Sequence, residues 1–201
     1  QFPKLFAILI EAMELEWADH LGTLYHSLEL HNEQAGQFFT PWHVCSFMAR
    51  MTLHDAPALM EQKGYISVLE PCVGAGAMVL AVADVLHQQG INYQNTLHVT
   101  AVDIDITAVH MAYVQLFLSH IPARIIHGNT LSGEQWSEWL TLAHVMGFWD
   151  ARMRRLDLEH AQAHSQPIPL LLPGPEPECA SLITAVSDHT TRPPGQQLSL
   201  F

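Results

Sequence analysis

Basic residues are scarce in this chain: eight Lys and Arg stand against twenty Asp and Glu, giving a formal charge of −12 over 201 residues. A protein that grips nucleic acid unaided neutralises phosphates with a basic stripe, so unassisted binding through bulk charge is excluded. Only Arg152, Arg154 and Arg155 cluster, and they fit a solvated helix end as well as a phosphate contact. Cysteine is equally sparse. Cys45, Cys72 and Cys179 have no short spacing between any pair, which argues against a disulfide framework or a zinc knuckle and leaves them as packing residues. Apolar runs such as Met78–Ala83 are far too short to span a bilayer. No basic start leads into an apolar export segment, so the cytoplasm is the expected compartment. No internal repeat is visible. The fourteen histidines are scattered, and the helically spaced pair His160 and His164 lacks an acidic third ligand nearby, which predicts a solvated helix face rather than a metal site.

What is present is nearly half apolar, enough for one hydrophobic core. From Phe2 to about Leu30, residues Leu5, Ile8, Leu9, Ala12, Leu15, Leu21, Leu24 and Leu28 recur at helical spacing and predict amphipathic helices. A helical pattern from the first residues, without an initiating Met, predicts that the chain begins part-way into a longer protein or after a processed end. Thr40 is placed to cap a helix that has Pro41 in its first turn and runs to about Leu53. Tyr65–Leu69, Leu97–Val102 and Ala123–Ile126 read as short buried strands. Met78–His87 and Asp105–His120 read as the helices between them. Strand, helix, strand, helix, strand predicts a doubly wound, mostly parallel α/β sheet. The stretch from Gly133 to Ala163 is predicted helical, with Trp136, Trp139 and Leu140 spaced for core packing. Ile168–Leu172 is a candidate fourth strand. Pro173–Glu178 and Thr190–Gln196 are too rich in proline for regular structure and read as a tether. The expected organisation is an N-terminal helical segment over 1–35, an α/β domain over 36–172 and a tail over 173–201.

Chemistry concentrates at the carboxyl ends of the three strands, where open α/β sheets present ligands. Glu70-Pro71-Cys72-Val73-Gly74-Ala75-Gly76 follows the first strand and opens a helix, with Gly74 and Gly76 allowing a ligand close to the backbone. Asp103 ends the second strand, where a carboxylate can accept from both hydroxyls of a ribose. Helix capping there can fall to Asp105 or Thr107. Asn129 ends the third strand and is either a turn residue or an amide facing an adenine edge.

Taken with Gly36-Gln37-Phe38-Phe39-Thr40-Pro41 and with His127-Gly128-Asn129-Thr130-Leu131, these elements resemble, in order and spacing, the modification subunits of type I restriction systems, which are N6-adenine DNA methyltransferases. The resemblance covers about Leu21 to Leu131. It implies a Rossmann-like, S-adenosylmethionine (SAM)-dependent methyltransferase fold in truncated form, with SAM as cofactor. By the same resemblance, Thr40 caps the methionine end, Glu70, Gly74 and Gly76 hold the cofactor backbone, and Asp103 and Asn129 take ribose and adenine. Phe39, Pro71 and Ile104 complete the implied set. DNA is the implied partner, reached directly or through another chain, and a specificity subunit is a further one. The family holds its target adenine in an Asn- or Asp-Pro-Pro-aromatic loop, and this sequence contains none, so no catalytic residue is assigned. If that loop is lost, the resemblance leaves a silent SAM-binding scaffold or sensor as the second reading. At the carboxyl end, Gln197-Leu198-Ser199-Leu200-Phe201 resembles the pentapeptide with which bacterial ligands enter the sliding clamp, Leu200 and Phe201 being the apolar anchors.

Overall fold

The computed structural model describes residues 1–30 and 39–164, all within the compact unit Gln1–His164. The candidate strand Ile168–Leu172, Cys179 and the pentapeptide Gln197–Phe201 lie outside the described residues, as does Gly36-Gln37-Phe38. Two helices open the chain, α1 (Phe2–Leu15) and α2 (His20–Ser27), followed by α3 (Trp42–Thr52) and α4 (Ala56–Lys63). Strand β1 (Ile66–Glu70) leads into α5 (Ala77–Gln88), the short α6 (Tyr93–Thr96) into β2 (Leu97–Asp103), and α7 (Ile106–Leu118) into β3 (Ala123–Asn129). Strand β4 (Glu134–Leu140), α8 (Leu142–Met146) and α9 (Trp149–His164) complete the order.

The sheet runs β1-β2-β3-β4. The first two pairings are parallel and the third is antiparallel. In the register Ile66↔Leu97, Val99↔Ala123 and Ala101↔Ile125, the inward residues pack into one core with α3, α5 and α7. Helix α5 is buried from Ala77 through Leu86 at every position but Met78. Its small residues Ala77, Ala81 and Ala83 leave room for close packing, and they share the core with Cys45 and Ala49 of α3. Burying each larger apolar side chain of this core, such as Val79 or Leu80, stabilises the fold by about 1.5–3 kcal/mol before entropy is counted.

The parallel α/β plan follows the sequence, and four details differ. Residues 134–140 are a strand, not helix: the chain turns at Asn129–Gly133, where Gly133 N–H donates to Asn129 O over 2.8 Å, and returns against β3. The spacing of Trp136, Trp139 and Leu140 suits a helix, but aromatic residues also favour strands and a tight turn supplies the pairing. Consequently Trp136 and Trp139 are 51% and 36% exposed rather than core. Trp139 stands edge-on to His110 of α7, and Trp136 edge-on to His127 of β3. Thr40 does not cap α3; Pro41 holds the N-cap position with no side-chain bond, because the helix begins one residue later than expected. Cys45 is buried as a packing residue should be, but Cys72 is exposed in the turn after β1. Of the basic cluster, Arg152 is used internally: its guanidinium lies 4.4 Å from the Trp149 ring centroid and donates to Asn95 O over 2.6 Å.

Candidate functional site

Three strands end on one edge and bring their terminal residues together. After Glu70 the chain turns through Pro71–Gly76 into α5, with Gly74 at φ +56° and Gly76 at φ +103°, backbone regions that side chains other than glycine rarely adopt. A Cβ on Gly74 would sit 3.1 Å from the Phe39 ring, so that ring closes directly over the turn. Val73 N–H donates to Val102 O over 2.9 Å, and Gly74 N–H donates to Asp103 Oδ2 over 2.8 Å, which fastens the turn to the end of β2. The other carboxylate oxygen of Asp103 accepts from Asp105 N–H over 2.9 Å. Asp105, as the sequence allows, takes over the capping of α7 by accepting from Thr107 N–H over 2.8 Å.

At the end of β3, Asn129 is a turn residue whose Oδ1 accepts from Leu131 and Ser132 N–H over 3.0 and 3.3 Å. The lone pairs of its amide oxygen are therefore occupied, and only the Nδ2 donors remain to face a ligand. Of the predicted site residues, Gly74, Gly76, Asp103 and Phe39 are brought together around the turn, with Glu70 and Pro71 at its start. Ile104 beside Asp103 is 62% exposed. Thr40 is exposed, and its carbonyl accepts from the Cys45 thiol over 3.6 Å.

Two carboxyl groups, Glu70 and Asp103, flank the turn. Burial pushes the Glu70 carboxyl above its ordinary range, against the Cys72 N–H that stabilises its charged form, and the neighbouring Asp103 charge raises it further. Burial also raises the Cys72 thiol, with Asp103 and Glu70 adding to it. The Cys45 thiol is pushed up to about 11 by burial and then by Asp19 and Glu70, so it is an inert packing group. Neither Glu70 nor Asp103 is in an ion pair among the described residues. A polyphosphate would meet repulsion here, whereas a ligand carrying positive charge would be favoured.

Two residues of the His127–Leu131 element have no role assigned from sequence. Thr130 Oγ–H donates to Pro71 O over 2.6 Å and ties the loop after β3 to the turn after β1. Leu131 is 98% exposed two residues after Asn129, an apolar side chain standing free in solvent. In the sequence both are visible only as neighbours of Asn129, because their partners or exposure depend on chain segments far away.

A parallel sheet with a glycine turn after the first strand and an acid at the end of the second defines an α/β protein whose candidate site lies at the carboxyl edge of its strands. The sequence model of the N-6 DNA methylase family matches residues 18–149, and the chain belongs to that family. The matched stretch contains the glycine turn, Asp103, Asn129 and the β4 hairpin, and the fold is methyltransferase-like. Comparison with curated proteins finds no match.

Proposed function

We propose that the site binds SAM and that the chain is the cofactor-holding part of an N6-adenine DNA methyltransferase. The observation that carries this reading is the 2.8 Å bond between Gly74 N–H and Asp103, which joins the ends of β1 and β2 into one cradle. The donor set suits the ligand: SAM carries a sulfonium and an ammonium, and the site offers two carboxylates, Glu70 and Asp103, without a competing ion pair among the described residues. When bound, SAM supplies an electrophilic methyl group.

The chain's own residues bind and orient. Asp103 accepts from the ribose hydroxyls, and Gly74 and Gly76 supply the positive-φ turn whose backbone faces the cofactor. Ile104 and Leu131, both exposed, provide apolar surface for the adenine ring, and Asn129 donates from Nδ2. Phe39, Thr40 and Glu70 enclose the methionine end, and Pro71 fixes the start of the turn. DNA is the substrate class of the family, and with a charge of −12 this chain reaches it through a partner chain, such as a specificity subunit. The Gln197–Phe201 pentapeptide is proposed to seat Leu200 and Phe201 in the bacterial sliding clamp.

A calorimetric titration with SAM, followed by tritium transfer from labelled SAM to adenine-containing DNA, tests the reading. Saturable binding and transfer support it. Absence of SAM binding sinks it, and binding without transfer leaves only a cofactor-holding protein.

A further inference from the structure

Gln115 lies on α7, outside the sequence elements that mark the site, and it is fully buried. Its Nε2 donates both to Ala75 O, inside the glycine turn, and to Asp19 Oδ1, each over 2.8 Å. Its Oε1 accepts from Leu21 N–H over 3.2 Å. These three bonds fix the amide's orientation, since a flipped amide would aim its oxygen at a carbonyl and a carboxylate. Asp19 is itself only 5% exposed and caps α2, its Oδ1 also accepting from Gly22 N–H over 2.8 Å.

The consequence lies in the turn. Ala75 stands between two positive-φ glycines, Gly74 and Gly76, so its peptide orientation is not dictated by ordinary backbone preference. Gly74 is held from β2 by Asp103, and Ala75 is held from α7 by Gln115. The same amide reaches the N-terminal helical segment through Asp19 and Leu21.

We infer that Gln115 is a positioning residue for the cofactor turn, and that with Asp19 it couples the N-terminal helices to the shape of the SAM site. This rests on the SAM reading above. A buried polar network of this kind specifies one geometry when every member is satisfied. Loosening it therefore changes ligand affinity as well as stability.

The test compares the native protein with the double variant Asp19→Asn/Gln115→Glu. The exchange keeps an acceptor for Leu21 N–H at position 115 and removes the charge repulsion that a carboxylate there would meet from Asp19, but it turns an acceptor toward Ala75 O. SAM affinity measured by calorimetry at pH 8 is expected to fall by at least about tenfold, the worth of one well-made buried hydrogen bond. As the pH is lowered and the introduced carboxyl takes up a proton, it can donate to Ala75 O again, and the ratio of variant to native affinity should recover toward one. Thermal melts across the same pH range separate this from a merely structural role: the positioning role predicts the affinity loss at pH 8 in a variant that is still fully folded at the titration temperature, whereas a structural role predicts loss only where the variant unfolds. In the native protein, the Gln115 side-chain amide proton resonances should shift when SAM is added, a readout that needs no variant. Affinity of the double variant within twofold of native across the pH range, or unmoved Gln115 resonances in SAM-saturated native protein, would overturn the positioning role alone. Failure of the native protein to bind SAM would overturn both readings.

Discussion

Gly74 meets three demands at one position: a positive φ, a main-chain N–H aimed at Asp103, and a Cβ position only 3.1 Å from the Phe39 ring. Gly74→Ala is expected to cost about 1–2 kcal/mol in stability, from the left-handed backbone and the displaced ring, and to weaken SAM binding; urea denaturation and calorimetry would show both. Unchanged stability would mean that the ring moves aside freely. The glycines and Asp103 are legible in the sequence because their roles follow from backbone geometry and strand ends. Thr130 and Gln115 are not, because each acts on a partner that folding alone brings near: Pro71, 59 residues away, and Ala75, 40 residues away.

Among the elements, β2, α8 and α9 are locked by a buried histidine pair. His98 and His144 are 1% and 2% exposed, with Nε2 of the first 2.9 Å from Nδ1 of the second. Trp149 of α9 packs beside His98. Arg124 of β3 reaches Asp150 over 2.9 Å, and Asp150 lies 3.4 Å from His144 Nε2. Burial, then the His144 and Arg124 charges, lower His98 to about 4, with Asp150 opposing them. A histidine with a depressed folded pKa takes up its proton more readily when unfolded, so its contribution is intact above about pH 6.5 and is lost as pH falls toward 4. Thermal melts should therefore show a falling midpoint from pH 7 to pH 5, and His98→Phe should flatten that slope; an equal slope in the variant would place the acid sensitivity elsewhere. The parallel strands can be read in advance from short apolar runs at regular intervals, whereas β4 cannot. Its Trp136, Trp139 and Leu140 satisfy helical spacing, and only the pairing with β3, a long-range event, decides between helix and strand.

For the whole molecule, charge separates holding a cofactor from holding DNA. A chain of −12 should not shift duplex DNA by itself in about 0.15 M salt, and gel-shift titration with and without a specificity partner checks this; strong unaided binding would reveal a basic surface that the composition hides. Deleting Gln197–Phe201 should abolish association with a bacterial sliding clamp in a pull-down from purified components, and undiminished association would remove the clamp from the account. The cradle that the glycine turn and Asp103 form together is the proposed seat of SAM. The most direct test of this is calorimetric titration of SAM into the native protein and into Asp103→Asn, which replaces an acceptor for Gly74 and the ribose with a group that can donate in its place. Saturable binding by the native protein, weakened roughly ten- to hundredfold in the variant by loss of charge-assisted bonds, is the expected result. No binding by the native protein, or equal affinity in the two, would contradict it.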